Sequence, residues 1–182
     1  MRSSSPALLV IDMFTLFDFP DADRLKPGAV RAARQIARLA RQFRLRGHPV
    51  IHANDNFANW QLDFKELVDA CLRTPGASST IARLLQPEPG DYFVLKPKHS
   101  AFLATPLVVL LAKLGVDELV VCGMTAESCV AATCFDSNAR EYDTVVVREA
   151  VAGIGRAKAT ALRLLEDGKA ARVVPLQRYL AQ

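Results

Sequence analysis

Short apolar runs alternate with longer segments whose apolar residues recur at helical spacing. Each run is four or five residues long, which is typical of a strand buried in a sheet. The runs are residues 7–11, 49–53, 92–95, 118–122, 144–147 and 171–174. Strands that alternate with helices predict a parallel sheet with helices on both faces. We therefore expect an α/β fold, a three-layer αβα, Rossmann-like architecture with a six-stranded, mainly parallel sheet.

Length and composition favour one domain over residues 1–182, since 51% of the residues are hydrophobic and the net charge is only +4. Within it, residues 54–90 are irregular and punctuated by Pro and Gly, and we expect them to cover the functional edge of the sheet. The four cysteines have no paired spacing and are expected to be reduced thiols in the cytoplasm. The apolar run near the N-terminus is too short for a signal peptide or a membrane span, so no membrane partner is expected.

A basic stripe lies on the long helix predicted for residues 27–46. The stripe either binds nucleic acid or is the solvated outer face of a helix in the outer layer. We favour the solvated face, because no aromatic or RNA-binding motif accompanies the stripe, and we expect no nucleic-acid partner. Its members are Arg31, Arg34, Arg38 and Arg41.

Three reactive side chains follow predicted strands, namely Asp12, Lys96 and Cys129. The carboxyl ends of parallel strands form the edge where open α/β sheets bind ligands. Cys129 also precedes a helix predicted for residues 130–140, where free N–H groups bias a thiol toward thiolate. Each residue alone has a simpler interpretation: a turn Asp, a solvated Lys and a buried structural Cys.

Candidate pocket residues lie in two connecting segments. Phe17 belongs to a Phe-rich connector that either forms the wall of a pocket or packs in the core. Asp55 and Trp60 belong to the segment after the second strand. Met124 lies just after the fourth predicted strand and is included as a fourth pocket residue.

The motifs around these residues resemble those of the isochorismatase-like cysteine hydrolases. The matching motifs are residues 9–13, 96–102, 123–130 and 141–147, and the resemblance extends over about residues 7–174. The resemblance implies a catalytic triad of Asp12, Lys96 and Cys129. It also implies a cis peptide bond between Met124 and Thr125, with an oxyanion hole formed by the N–H groups of Thr125 and Cys129.

The same resemblance implies cleavage of a C–N bond in a small amide, carbamoyl or ureido compound. Cys129 would attack the carbonyl carbon, and Asp12 would move the thiol proton to the leaving amine. Water would then hydrolyse the thioester, with Asp12 as the base again. Two alternatives stay open: an isochorismatase-type ether hydrolase and a non-catalytic binding member of the fold. A redox or nucleotide-binding protein is disfavoured, because no phosphate-loop motif is present.

Related nicotinamidases carry a metal-binding Asp and two His residues after the second strand. This chain has His52 and Asp55 there but no second His nearby. We therefore expect no metal and no other cofactor, and a substrate other than nicotinamide. His99, beside the lysines, is expected to be a packing residue of its loop. The expected partners are a small-molecule substrate and further copies of the chain, in a homodimer or higher homo-oligomer.

Overall fold

The computed structural model describes residues 5–56 and 60–181, so residues 57–59 of the predicted cover segment lie outside the described residues. The described residues form six strands, seven α-helices and one π-helical turn. The elements are β1 Pro6–Ile11, α1 Ala22–Leu45, β2 Val50–Asp55, α2 Phe64–Arg73, α3 Ala77–Leu84, β3 Tyr92–Lys96, α4 Leu107–Leu114, β4 Glu118–Met124, the π-turn Ala126–Val130, α5 Ala131–Asn138, β5 Asp143–Ala152, α6 Arg156–Asp167, β6 Arg172–Val174 and α7 Leu176–Leu180.

All six strands are parallel, in the order β3-β2-β1-β4-β5-β6. The predicted α/β class and strand number are confirmed, and the sheet is wholly rather than mainly parallel. The chain adds β2 and β3 on one side of β1 and then adds β4 on the other side. Because the direction of winding reverses between β1 and β4, the carboxyl ends of these two strands border a crevice.

Both faces of the sheet are covered, which is why successive residues of a central strand such as β1 are apolar. Leu8 and Val10 of β1 face a cluster completed mainly by α1, α2 and α3. Leu9 and Ile11 face a second cluster completed by α4, α5 and α6. Burial of both sets of side chains supplies the main free energy that holds the three layers together.

Helix α1 begins at Ala22, five residues before the predicted start at Pro27. Proline is frequent at the first helical position, but here Ala22 and Leu25 are buried and extend the apolar face upstream. The four arginines of the predicted basic stripe are exposed, as expected for a solvated outer face. None of the described helices is long and apolar enough to span a bilayer.

Strand β5 is more than twice the predicted length because its pairing with β4 shifts register. Val121 pairs with Val146 but Gly123 pairs with Val151, so the β5 side of the ladder contains three additional residues.

The short helix α7 was not predicted. The cover segment contains α2 and α3, and the capping box of Asp63 and Glu66 begins α2.

Candidate active site

Asp12 is the first residue after β1. Its backbone is left-handed, with φ of 53°, a conformation that Asp and Asn adopt more readily than most residues. Its N–H still donates to Ala53 O at 3.0 Å, so the residue remains anchored to β2. The carboxylate accepts the N–H of Asp55 at 2.7 Å on Oδ1 and lies 2.9 Å from Lys96 Nζ on Oδ2. Both oxygens of this nearly buried carboxylate are therefore engaged.

Lys96 is the last residue of β3, and its side chain has no exposed surface. Besides Asp12, its ammonium group lies 3.6 Å from Asp55 Oδ2 and donates to Lys98 O at 2.9 Å. Asp55 and Lys96 are register partners on β2 and β3, which accounts for their proximity. The cation also lies 3.6 Å from Cys129 Sγ. A buried ammonium is stable only with such partners.

Cys129 lies on the π-turn that follows β4. Gly123 brings this turn toward β1, since its φ is +115° and a Cβ there would lie 2.1 Å from Ile11 O. The peptide bond between Met124 and Thr125 is cis. Thr125 O then accepts from Ser128 N and Val130 N, both at 3.1 Å, which closes the turn. The predicted helix start at residue 130 was wrong, because helical structure already begins at Ala126.

The three side chains form one electrostatic unit. Burial raises the pKa of the Asp12 carboxyl, and the Lys96 cation opposes this increase. Burial and the Asp12 carboxylate raise the pKa of the Cys129 thiol to about 12, against the opposing effect of Lys96. Burial tends to lower the pKa of Lys96, but Asp12, Cys129 and Asp55 outweigh it and the pKa is raised. Lys96 is therefore a fixed cation.

The expected bias of Cys129 toward thiolate was wrong for this structure. Burial of the sulfur and the adjacent Asp12 carboxylate raise the pKa of the Cys129 thiol, which favours the protonated side chain. A thiol hydrogen-bonded to a carboxylate of raised pKa is suited to losing its proton during attack rather than before it.

His99 also reaches the thiol, which sequence reasoning missed. It is exposed rather than packed, so the packing prediction was wrong. Its Nδ1 lies 3.1 Å from Ser128 Oγ and 3.9 Å from Cys129 Sγ. The available signal was its place three residues after Lys96, within the motif at residues 96–102.

The four candidate pocket residues lie in different surroundings. Asp55 contacts two members of the triad: its carboxylate lies near Lys96 Nζ, and its N–H donates to Asp12 Oδ1. Met124 is buried in the apolar cluster on the α1 side and precedes the cis bond. Phe17 is buried in the same cluster, with its ring 6.0 Å from that of Phe19. Trp60 is 67% exposed and lies beside the undescribed residues 57–59.

His52 does not lie at this edge of the sheet. It packs between Phe14 and Phe64, and its Nε2 lies 3.4 Å from Asp91 Oδ2. Within the described ranges 5–56 and 60–181, no group of three or more His, Cys, Asp or Glu side chains is placed to hold a metal ion.

Among known protein families, the isochorismatase domain matches residues 6–176 of this chain. The chain is 33% identical over 152 residues to YaaI of Bacillus subtilis, an uncharacterized isochorismatase family protein, covering 84% of this chain and 83% of the relative. It is 33% identical to maleamate amidohydrolase of Pseudomonas putida, covering 80% of this chain and 71% of that one.

Among solved structures, N-carbamoylsarcosine amidase from Thermoplasma acidophilum superimposes with a TM-score of 0.73 at 26% identity, covering 94% of this chain and 96% of that chain. An isochorismatase family protein of Desulfovibrio vulgaris superimposes with a TM-score of 0.77 at 27% identity, covering 99% of this chain and 100% of that chain. With the domain match over residues 6–176, these similarities show that the chain belongs to the isochorismatase family of hydrolases.

Proposed function

We propose that the protein is an amidohydrolase that cleaves the C–N bond of a small amide, carbamoyl or ureido compound through a thioester on Cys129. The observation that carries this proposal is the contact of Lys96 Nζ with both other members of the triad, 2.9 Å from Asp12 Oδ2 and 3.6 Å from Cys129 Sγ. A nucleophile, a base hydrogen-bonded to it and a fixed cation make up an acyl-transfer site.

In the first half of the reaction, Asp12 takes the proton of the Cys129 thiol as the sulfur attacks the carbonyl carbon. Its raised pKa favours acceptance of that proton. Asp12 then gives the proton to the nitrogen of the leaving amine, so that the C–N bond breaks and the thioester remains. Lys96 keeps its charge and offsets the negative charge that passes between the carboxylate and the sulfur.

The oxygen of the substrate carbonyl becomes negative during attack and requires donors. We assign this role to the backbone N–H groups of Thr125 and Cys129, which are close in sequence to the nucleophile. Removing one donor of such a hole typically costs about 10²–10³ in kcat. We also propose that Asp55, beside Lys96, borders the substrate, together with Met124, Phe17 and Trp60.

The test is ammonia release from maleamate, ureidoacrylate and N-carbamoylsarcosine, compounds that appear in the names of similar proteins. We expect the wild type to hydrolyse at least one compound of this class, and Cys129→Ala to lose the activity. Cys71→Ala is the matched control, because Cys71 is buried in α2 and has no part in the site. Release by Cys129→Ala at the wild-type rate would refute the thioester route.

Two other functions belong to the same fold. An ether hydrolase of the isochorismatase type has no need of a thiol nucleophile, so the contact of Cys129 with Lys96 argues for the amidohydrolase. A non-catalytic binding protein has no need of the fully buried ammonium of Lys96, which is costly to keep in the interior.

We also propose that the protein acts in the cytoplasm as a homodimer or higher oligomer. The four unpaired cysteines support a reducing compartment. Exposed apolar side chains such as Val109, 60% exposed on α4, support self-association. Sedimentation at micromolar concentration tests the assembly, and a monomer alone would contradict it.

A further inference from the structure

Thr133 lies one helical turn after Cys129, on α5, and has no exposed surface. Its Oγ1 donates to the carbonyl oxygen of Cys129 at 2.7 Å and accepts the N–H of Ala101 at 3.0 Å. The directions of both bonds are fixed, because a carbonyl oxygen only accepts and an N–H only donates. The one proton of this hydroxyl is therefore committed to the residue that carries the proposed nucleophile.

Ala101 lies in the loop that connects β3 to α4, and it is also fully buried. Threonine hydroxyls satisfy both of its backbone polar groups: Thr133 accepts its N–H, and Thr105 donates to its carbonyl oxygen at 2.6 Å. A buried backbone group without a partner is costly, so these bonds fix the position of the loop. The Thr133 hydroxyl also reaches Cys129, whereas the Thr105 hydroxyl accepts the N–H of Leu107.

The same loop holds the cation of the triad. The carbonyl oxygen of Lys98, three residues before Ala101, accepts from Lys96 Nζ at 2.9 Å. The ammonium group in turn lies 3.6 Å from Cys129 Sγ. A closed chain of contacts therefore runs from Cys129 through Thr133 and the loop to Lys96, and from its ammonium group back to the sulfur.

We propose that Thr133 is a positioning residue whose hydroxyl sets the contact between the Lys96 ammonium group and the Cys129 sulfur. The proposal rests on the proposed function, in which this cation offsets the negative charge that reaches the sulfur during attack. Without the hydroxyl, the loop is no longer tied to Cys129, and the Lys98 carbonyl and the ammonium group move away with it. Charges in a buried site are weakly screened, so even a small displacement of the cation changes its effect on the sulfur.

The experiment measures alkylation of Cys129 by iodoacetamide near pH 9, which requires no substrate. Thr133→Val replaces the hydroxyl with a methyl group and removes both hydrogen bonds. Lys96 lowers the pKa of the Cys129 thiol, so displacement of the cation should raise that pKa and reduce the thiolate fraction. We expect alkylation to slow by about 10-fold, which corresponds to one pKa unit. Peptide mapping separates Cys129 from the buried thiols.

Thr133→Ser is the conservative control, because it keeps the hydroxyl, and it should be alkylated at the wild-type rate. Thr105→Val is the matched control, because it removes the other hydroxyl bond to Ala101, and the Thr105 hydroxyl bonds to Leu107 rather than to Cys129. It should lower the midpoint of thermal unfolding, as Thr133→Val does, and leave alkylation of Cys129 unchanged.

Alkylation of Thr133→Val at the wild-type rate would overturn the inference and leave the proposed function intact. Equal slowing in Thr105→Val or in Thr133→Ser would also overturn it, since the bond to Cys129 would then not be the cause. If Thr133→Val does not fold, Thr133→Ala removes the same hydroxyl without placing a methyl group against the carbonyl, and the same slowing is expected. Turnover by Cys129→Ala at the wild-type rate would refute the proposed function, whereas the alkylation result depends on no substrate.

Discussion

The ammonium group of Lys96 lies 2.9 Å from Oδ2 of Asp12, and the Lys96 side chain has no exposed surface. Neither charge is solvated well enough to be stable without the other. The pair therefore ties the stability of the fold to the same atoms that the proposed chemistry uses. Changes at either residue should affect both properties, but in different proportions.

Lys96→Met should destabilise the protein by about 3–5 kcal/mol, because it leaves the Asp12 carboxylate buried without its cation. Combining it with Asp12→Asn should recover part of that loss, since the stranded charge is then removed. Urea unfolding at pH 7 measures all three free energies. Lys113→Met, on the exposed face of α4, is the control and should stay within about 0.5 kcal/mol of wild type.

Asp12→Asn should lower the rate of turnover while making the Cys129 thiol easier to ionise. Turnover should fall by ~10²–10⁴-fold, because the amide cannot accept and return the proton. Alkylation of Cys129 by iodoacetamide should instead extend to lower pH, because the Asp12 charge that helps raise the pKa of the thiol is gone.

The matched control for that variant is Asp69→Asn, since Asp69 is exposed on α2. Peptide mapping must assign the alkylation to Cys129. Full turnover by a folded Asp12→Asn variant would contradict the assigned base. A shift of Cys129 alkylation to higher pH would contradict the electrostatic account.

Asp91→Asn should destabilise the protein by about 3 kcal/mol at neutral pH, because Arg44 loses a buried partner. Burial tends to raise the pKa of the Asp91 carboxyl, but hydrogen bonds from His52 and Arg44 hold it well below its usual value of 3.8. A lowered pKa in the folded state contributes stability above the unfolded value, and this stability is lost as pH falls below about 3.8.

Urea unfolding between pH 7 and about pH 2 should therefore show a gap between wild type and Asp91→Asn that narrows only below about pH 3.8. Glu88→Gln is the control, because Glu88 pairs with the same arginine but is 61% exposed. It should cost less than about 1 kcal/mol at any pH. A constant gap between wild type and Asp91→Asn across the range would exclude the ion pair as the cause.

Gly123→Ala should be far more damaging than Gly90→Ala. Both glycines have positive φ, +115° and +101°, so both variants incur the conformational cost of about 1–3 kcal/mol. Only at Gly123 would the new Cβ lie 2.1 Å from a backbone oxygen, that of Ile11, whereas nothing lies within 4 Å at Gly90. Thermal unfolding and turnover of the two variants check this prediction. Equal losses of stability and of turnover would show that the positive φ accounts for the whole effect and the contact with Ile11 O for none of it.

Much of the fold was predictable because it depends on patterns local to each segment. Apolar runs predicted all six strands, and the shared edge of a parallel sheet predicted that Asp12, Lys96 and Cys129 would meet. The length of β5 was not predictable, since its register shift arises from pairing with Gly123 on another strand. Burial of Ala22 upstream of Pro27 likewise depends on packing that the local pattern does not contain.

The ionisation of the site was predicted less well than its geometry. A helix start suggested a thiolate, but the state of Cys129 depends on burial and on a carboxylate more than 100 positions away in the chain. The location of His99 beside Ser128 depends on how the loop after β3 folds over the π-turn. Neither effect is visible in the residues that flank Cys129.

Lys96 comes from β3, which is a terminal strand of the sheet with only β2 beside it. Terminal strands open at lower free energy than central ones, because fewer contacts hold them. Detachment of β3 alone would withdraw the cation while β1, β2 and β4 stayed paired. Loss of activity on heating should thus report fraying of this one strand, ahead of the cooperative melting of the sheet.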